Sequence, residues 1–147
     1  MNRKLIIIII VAMIAWISVV GYGKYVYENV PARDLVAPEL ENNSIAHEIA
    51  DDYGIEVIVE ELGKDQNGLE VRGQARFLVS GDGESKCVMV VLDSDIDPNS
   101  EDAHAILAHE LGHIYNEAHG IENNEANADA YANNRGYQIH DAYNGVH

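Results

Sequence analysis

A chain of 147 residues has room for one modest domain, and its single cysteine, Cys87, excludes an internal disulfide and any thiolate metal cluster. Beyond residue 23 the chain carries seven Lys or Arg against twenty-five Asp or Glu, a formal charge of −18. A field of that sign repels phosphate, which argues against nucleic acid as a partner and favours cations or basic peptides.

Leu5 to Val20 contains no charged residue. Continued to Gly23 it would make about 28 Å of helix, enough to cross a hydrocarbon core of about 30 Å. Arg3 and Lys4 precede this run and acidic residues dominate after Lys24, so the positive-inside bias places residues 25–147 outside the cytoplasm. A cleaved signal peptide is the rival reading, but the run is long for one and no Ala-x-Ala site follows it. Residues 1–24 are therefore expected to be a transmembrane anchor. Residues 25–43, with Pro31 and Pro38, are expected to be a linker, and 44–147 the folded domain.

Ile45, Ile49, Ala50 and Tyr53 share one helical face, with Ser44 as the expected N-cap and Gly54 as the stop. Alternation from Ile55 to Val59 and again from Leu69 to Val79 predicts two strands, separated by the turn residues of Gly63 to Gly68. Cys87 to Leu92 is a continuous apolar run, the pattern of a strand buried on both faces. Asp93, Asp95 and Asp97 resemble the start of a calcium loop, but Pro98 stands where glycine is required and His104 where a bidentate Glu is required. The segment is instead a loop feeding a helix, capped by Asn99 or Ser100, that runs to Gly120. A further helix is expected from about Glu122 to Asn134, ended by Gly136.

The chemistry is concentrated in HELGH, residues 109–113. Residues four apart share a helix face, so His109 and His113 can direct two imidazole nitrogens at one zinc ion, Zn2+. Glu110 is one residue round and positioned to act as general base on a metal-activated water. A catalytic site needs a third protein ligand and an open position. His119 completes the spacing of metzincins, with Asn116 at their glycine position, but no Met follows Met89 to form a Met-turn. Glu125 is the other candidate. If the two last helices fold back antiparallel about Gly120, one register brings Glu125 close to the height of His113 and Asp129 beside His109. Asp129 would then accept a hydrogen bond from the ring nitrogen of His109 that faces away from the metal. Ala126, Ala128 and Ala130 are expected to keep the helices close.

HELGH followed by Glu125 and Asp129 resembles the gluzincin arrangement, and the stretch from Ser44, through YGIEVIVEEL and KCVMVVLD to AHELGH, resembles the ImmA/IrrE-type metallopeptidases. That resemblance implies His109, His113 and Glu125 as zinc ligands and Glu110 as catalytic acid/base, acting on a peptide or protein substrate. Two departures stand out: such peptidases are typically cytoplasmic, and the residues after Ala132 lack an expected apolar helix, leaving Tyr137, His140 and Tyr143 as unranked candidates for stabilising an oxyanion. The expected fold is α+β, with an N-terminal transmembrane helix followed by a small antiparallel sheet and a zinc-bearing helix hairpin. The expected function is membrane-anchored zinc metallopeptidase. The alternative is a membrane-tethered binding or scaffold protein whose metal site is structural or inactive.

Overall fold

The computed structural model describes residues 32–138 apart from residue 82. The expected transmembrane anchor, and His140 and Tyr143, lie outside the described residues; among those described, no helix is long and apolar enough to cross a membrane.

The described chain is α+β. Two short 3-10 turns, Ala32–Leu35 and Pro38–Leu40, lead into helix α1, Ser44–Tyr53. The strands are β1, Glu56–Glu60, β2, Gly73–Val79, and β3, Ser85–Asp93. Helices α2, Glu101–Ala118, and α3, Glu125–Asn134, complete the fold.

Asn43, not Ser44, caps α1. Its Oδ1 accepts from Ile45 N and Ala46 N at 3.1 Å each, while its Nδ2 donates to Pro98 O at 2.9 Å. The fully buried amide thereby satisfies two free helix N–H groups and fastens α1 to the loop that feeds α2.

The three strands form one sheet in the order β1-β3-β2, and it is mixed rather than antiparallel. β2 and β3 make an antiparallel hairpin, whereas β1 pairs with β3 in parallel, Val57 opposite Val90. The expectation of an antiparallel sheet assumed that consecutive strands are neighbours. The apolar run CVMVVL takes the centre, flanked by a strand on each side, and Val90, Val91 and Leu92 are all fully buried there. Residues 61–72 must then carry the chain past the end of β3. Asp93 braces that crossing: its Oδ2 accepts from Leu62 N at 2.8 Å and its N–H donates to Arg72 O at 2.8 Å. Val71 and its neighbours are spent on this crossing, so β2 begins at Gly73 rather than at Leu69.

Alternation, with a register shift opposite Arg76 and Phe77 that leaves Val88 as an extra residue, sends Val57, Val59, Ala75, Phe77, Cys87, Val90 and Leu92 to one face of the sheet, where they meet Ile45 and Ile49 of α1 and Ile106, Leu107 and Leu111 of α2. Helix α3 packs on α2. The turn between them is a Schellman motif in which Gly120 takes φ +64°, Gly120 N–H donates to Glu117 O and Ile121 N–H to Asn116 O. The connection is longer than expected, so α3 starts at Glu125, capped by Asn124, whose Oδ1 accepts from Asn127 N at 2.9 Å.

Candidate metal centre

Helix α2 turns its apolar stripe to the sheet, and His109 and Glu110 lie in its buried middle, 3% and 4% exposed. His113 is one turn further on and half-buried, while Glu125 opens α3 and is exposed. As the first residue of that helix, the Glu125 carboxylate also faces the positive end of the helix dipole.

The helix hairpin brings three of these side chains together. His109 Nε2 is 3.1 Å from His113 Nε2 and 3.0 Å from Glu125 Oε2, and His113 Nε2 is 3.5 Å from Glu125 Oε1. The other ring nitrogens are committed: His109 Nδ1 donates to Asp129 Oδ1 at 2.8 Å, and His113 Nδ1 donates to Asn123 Oδ1 at 2.7 Å. With both Nδ1 atoms protonated, two imidazole lone pairs and a carboxylate converge on a single point. Three acceptors so placed repel one another unless a cation lies among them. Ligand atoms around a tetrahedral ion with bonds of 2.0–2.1 Å stand about 3.4 Å apart, close to the separations found here. His109, His113 and Glu125 therefore form a group that could hold a metal ion, with ligand atoms all within 4.8 Å of one another.

Charge responds to this geometry. Burial disfavours the imidazolium of both histidines, but the hydrogen bonds to Glu125 and the nearby charge of Glu110 together more than offset it, so His109 is raised and His113, helped also by Asn123, is raised to about 9. The two histidines hold the Glu125 carboxyl well below its usual range, against a smaller effect of burial. Protons thus compete with a metal for the same point.

Glu110 is not one of the three: its Oε2 accepts from Ala75 N, on β2, at 2.7 Å, and its charge lies close enough to raise both histidines. Cys87, in the neighbouring strand, is a buried thiol pushed up to about 11 by desolvation, so it stays protonated. His119 is not in the cluster. It is exposed at the end of α2, its Nδ1 donates to Tyr115 O at 2.8 Å and its ring stacks on Tyr115. Tyr137 packs against the core and lines a cavity of about 560 Å³ beside Asn99, Asp102 and His104 at the start of α2.

Two roles go unread in the sequence, where Asn123 stands only, with Glu122, as a nearby alternative should the turn be longer. Asn123 orients His113, which no periodicity signals because the asparagine sits in an irregular loop. Gly112, the fourth letter of HELGH, lets α3 approach: a Cβ there would lie 2.8 Å from Ala128 Cα and O. Of the three alanines expected at the hairpin contact, Ala128 is buried while Ala126 and Ala130 are exposed. Comparison of the chain with protein families, curated proteins and solved structures finds no match.

Proposed function

We propose that this chain is a zinc-dependent metallopeptidase of the ImmA/IrrE type, anchored in the membrane by residues 1–24 with its domain outside the cytoplasm. The observation that carries the proposal is the convergence of His109 Nε2, His113 Nε2 and the Glu125 carboxylate on one point, from rings whose other nitrogens are held by Asp129 and Asn123. Two nitrogens and one oxygen suit zinc, and three protein ligands leave a fourth position open, as catalysis requires and a structural site does not. When bound, zinc would acidify a water and polarise a peptide carbonyl.

The chain's own residues supply the rest. Glu110 adjoins a proposed ligand without being one, so its carboxylate would serve as the base that accepts the water's proton. Asp129 and Asn123 fix both tautomers, so neither ring needs to reorient for ligation. The exposure of Glu125 keeps the centre open to a polypeptide.

The test separates metal binding from chemistry. Purified protein should hold about one zinc per chain, and His109→Ala, His113→Ala and Glu125→Ala should each lose it. Glu110→Gln should keep zinc and fold but cleave a diverse peptide library about 10²- to 10⁴-fold more slowly than wild type. Equal cleavage by Glu110→Gln would refute the mechanism. Full zinc in Glu125→Ala with loss in His119→Ala would refute the ligand set.

A further inference from the structure

Among the described residues strand β2 is an edge of the sheet, and its outer side meets the HELGH helix at Ala75. Asp93 N–H donates to Arg72 O, which sets the phase of the antiparallel ladder: residues 72 and 74 turn toward β3, and residues 73 and 75 turn their N–H and C=O away. The outward N–H of Ala75 is therefore the kind of group that an added strand pairs with. It is already taken, by the carboxylate of Glu110 at 2.7 Å. One donor thus faces two acceptors that cannot hold it together: the Glu110 side chain and the backbone carbonyl of any chain laid along β2. Further along the same strand Leu78 and Val79 are 65% and 71% exposed, so the edge offers apolar contact as well as hydrogen bonds.

Taking the chain as a peptidase, as proposed above, we infer that the Ala75 N–H is a latch on Glu110, released when an extended, largely uncharged peptide pairs with the outer edge of β2 and its carbonyl takes that N–H in exchange. Pairing and the loss of the Ala75–Glu110 hydrogen bond are then one event. Ala75 acts as a positioning residue through its backbone, and Glu110 is held still until a polypeptide is correctly aligned. Water or a small amide, unable to form a strand, leaves the latch closed.

The experiment uses the full-length chain stripped of metal with a chelator, so that no cleavage intrudes. The probe is a neutral, capped seven-residue peptide of alternating threonine and valine. Glu110→Ala removes the competitor and should bind the peptide about tenfold more tightly than wild type, the scale of one hydrogen bond to a charged group. Ala75→Pro removes the donor at an outward edge position, where proline is tolerated. In that background Glu110→Ala should change affinity less than twofold. A gain that persists with Ala75→Pro would mean simple removal of charge and would overturn the latch, as would equal binding by wild type and Glu110→Ala, or no binding by either. Should Ala75→Pro fail to fold, exchange of the Ala75 amide with deuterium decides instead: protected in wild type, exposed in Glu110→Ala, protected again with peptide bound. An Ala75 amide that stays protected in Glu110→Ala without peptide overturns the inference. Zinc-dependent cleavage is not read in any arm, so the latch and the peptidase reading fail separately.

Discussion

At the scale of single residues the centre is a contest between protons and metal, and His113 shows which way it runs. Its value rises on folding from about 6.5, typical of an unfolded chain, to about 9. A histidine raised by folding stabilises the protein fully below about 6.5, and that contribution fades as pH climbs through about 9. Thermal melts of the metal-free protein should therefore show stability falling from pH 6.5 to 9, and His113→Gln should flatten that slope. Apparent zinc affinity should move oppositely, strengthening across the same interval as the competing proton leaves, which a pH series of zinc titrations would measure. Asn123 carries a separate expectation. Asn123→Ala should weaken zinc binding about 10- to 100-fold while leaving the fold intact, because His113 loses the partner that fixes its tautomer. His109, His113 and Asp129 could be placed together from the sequence alone, since helix periodicity and one turn set their heights. Asn123 could not, because its contribution depends on the path of residues 119–124, and a loop's path is not written in any period.

Among elements, the α2–α3 contact decides whether the centre exists. Gly112→Ala would add a methyl group into the backbone of Ala128. Alanine gains about 1 kcal/mol over glycine in helix propensity, whereas overpacking of this kind costs about 1–3 kcal/mol, so the clash wins. The expected outcome is unchanged helix content by circular dichroism with markedly weaker zinc binding, as α3 moves off and takes Glu125 and Asp129 with it. At the other end of the domain, Asn43→Ala should lower stability by about 1–3 kcal/mol in urea unfolding, since it removes the α1 cap and strips Pro98 O of its donor. The elements themselves were legible: every expected helix and strand within the described residues is present, with shifts at their ends. What the pattern could not carry was neighbourhood. Alternation in Ile55 to Val59 says that a strand has an inside and an outside, not that it will pair with β3 rather than β2. The buried run around Val90 and Val91 held the hint, since a strand hidden on both faces belongs between two others.

For the whole molecule, the proposed membrane arrangement is open to direct measurement. A reporter fused after His147 that works only when exported should be active, because the basic flank of the apolar run is N-terminal. Activity from a cytoplasmic-only reporter would overturn the exported assignment. The fold adds a second consideration through Arg135, at the end of α3. Its guanidinium grips Glu48 of α1 with two hydrogen bonds, of 2.6 and 2.7 Å, across 87 positions of chain, and lies over the ring of Tyr131. That clasp joins nearly the first helix of the domain to the last, and Glu125 is carried by the helix it secures. A chain emerging in order from its N-terminus has both histidines in hand well before it has Glu125 or Arg135. The cluster that could hold a metal ion is thus among the last features to be completed, and any ion it takes is taken by a finished domain, from whichever compartment that domain finishes folding in.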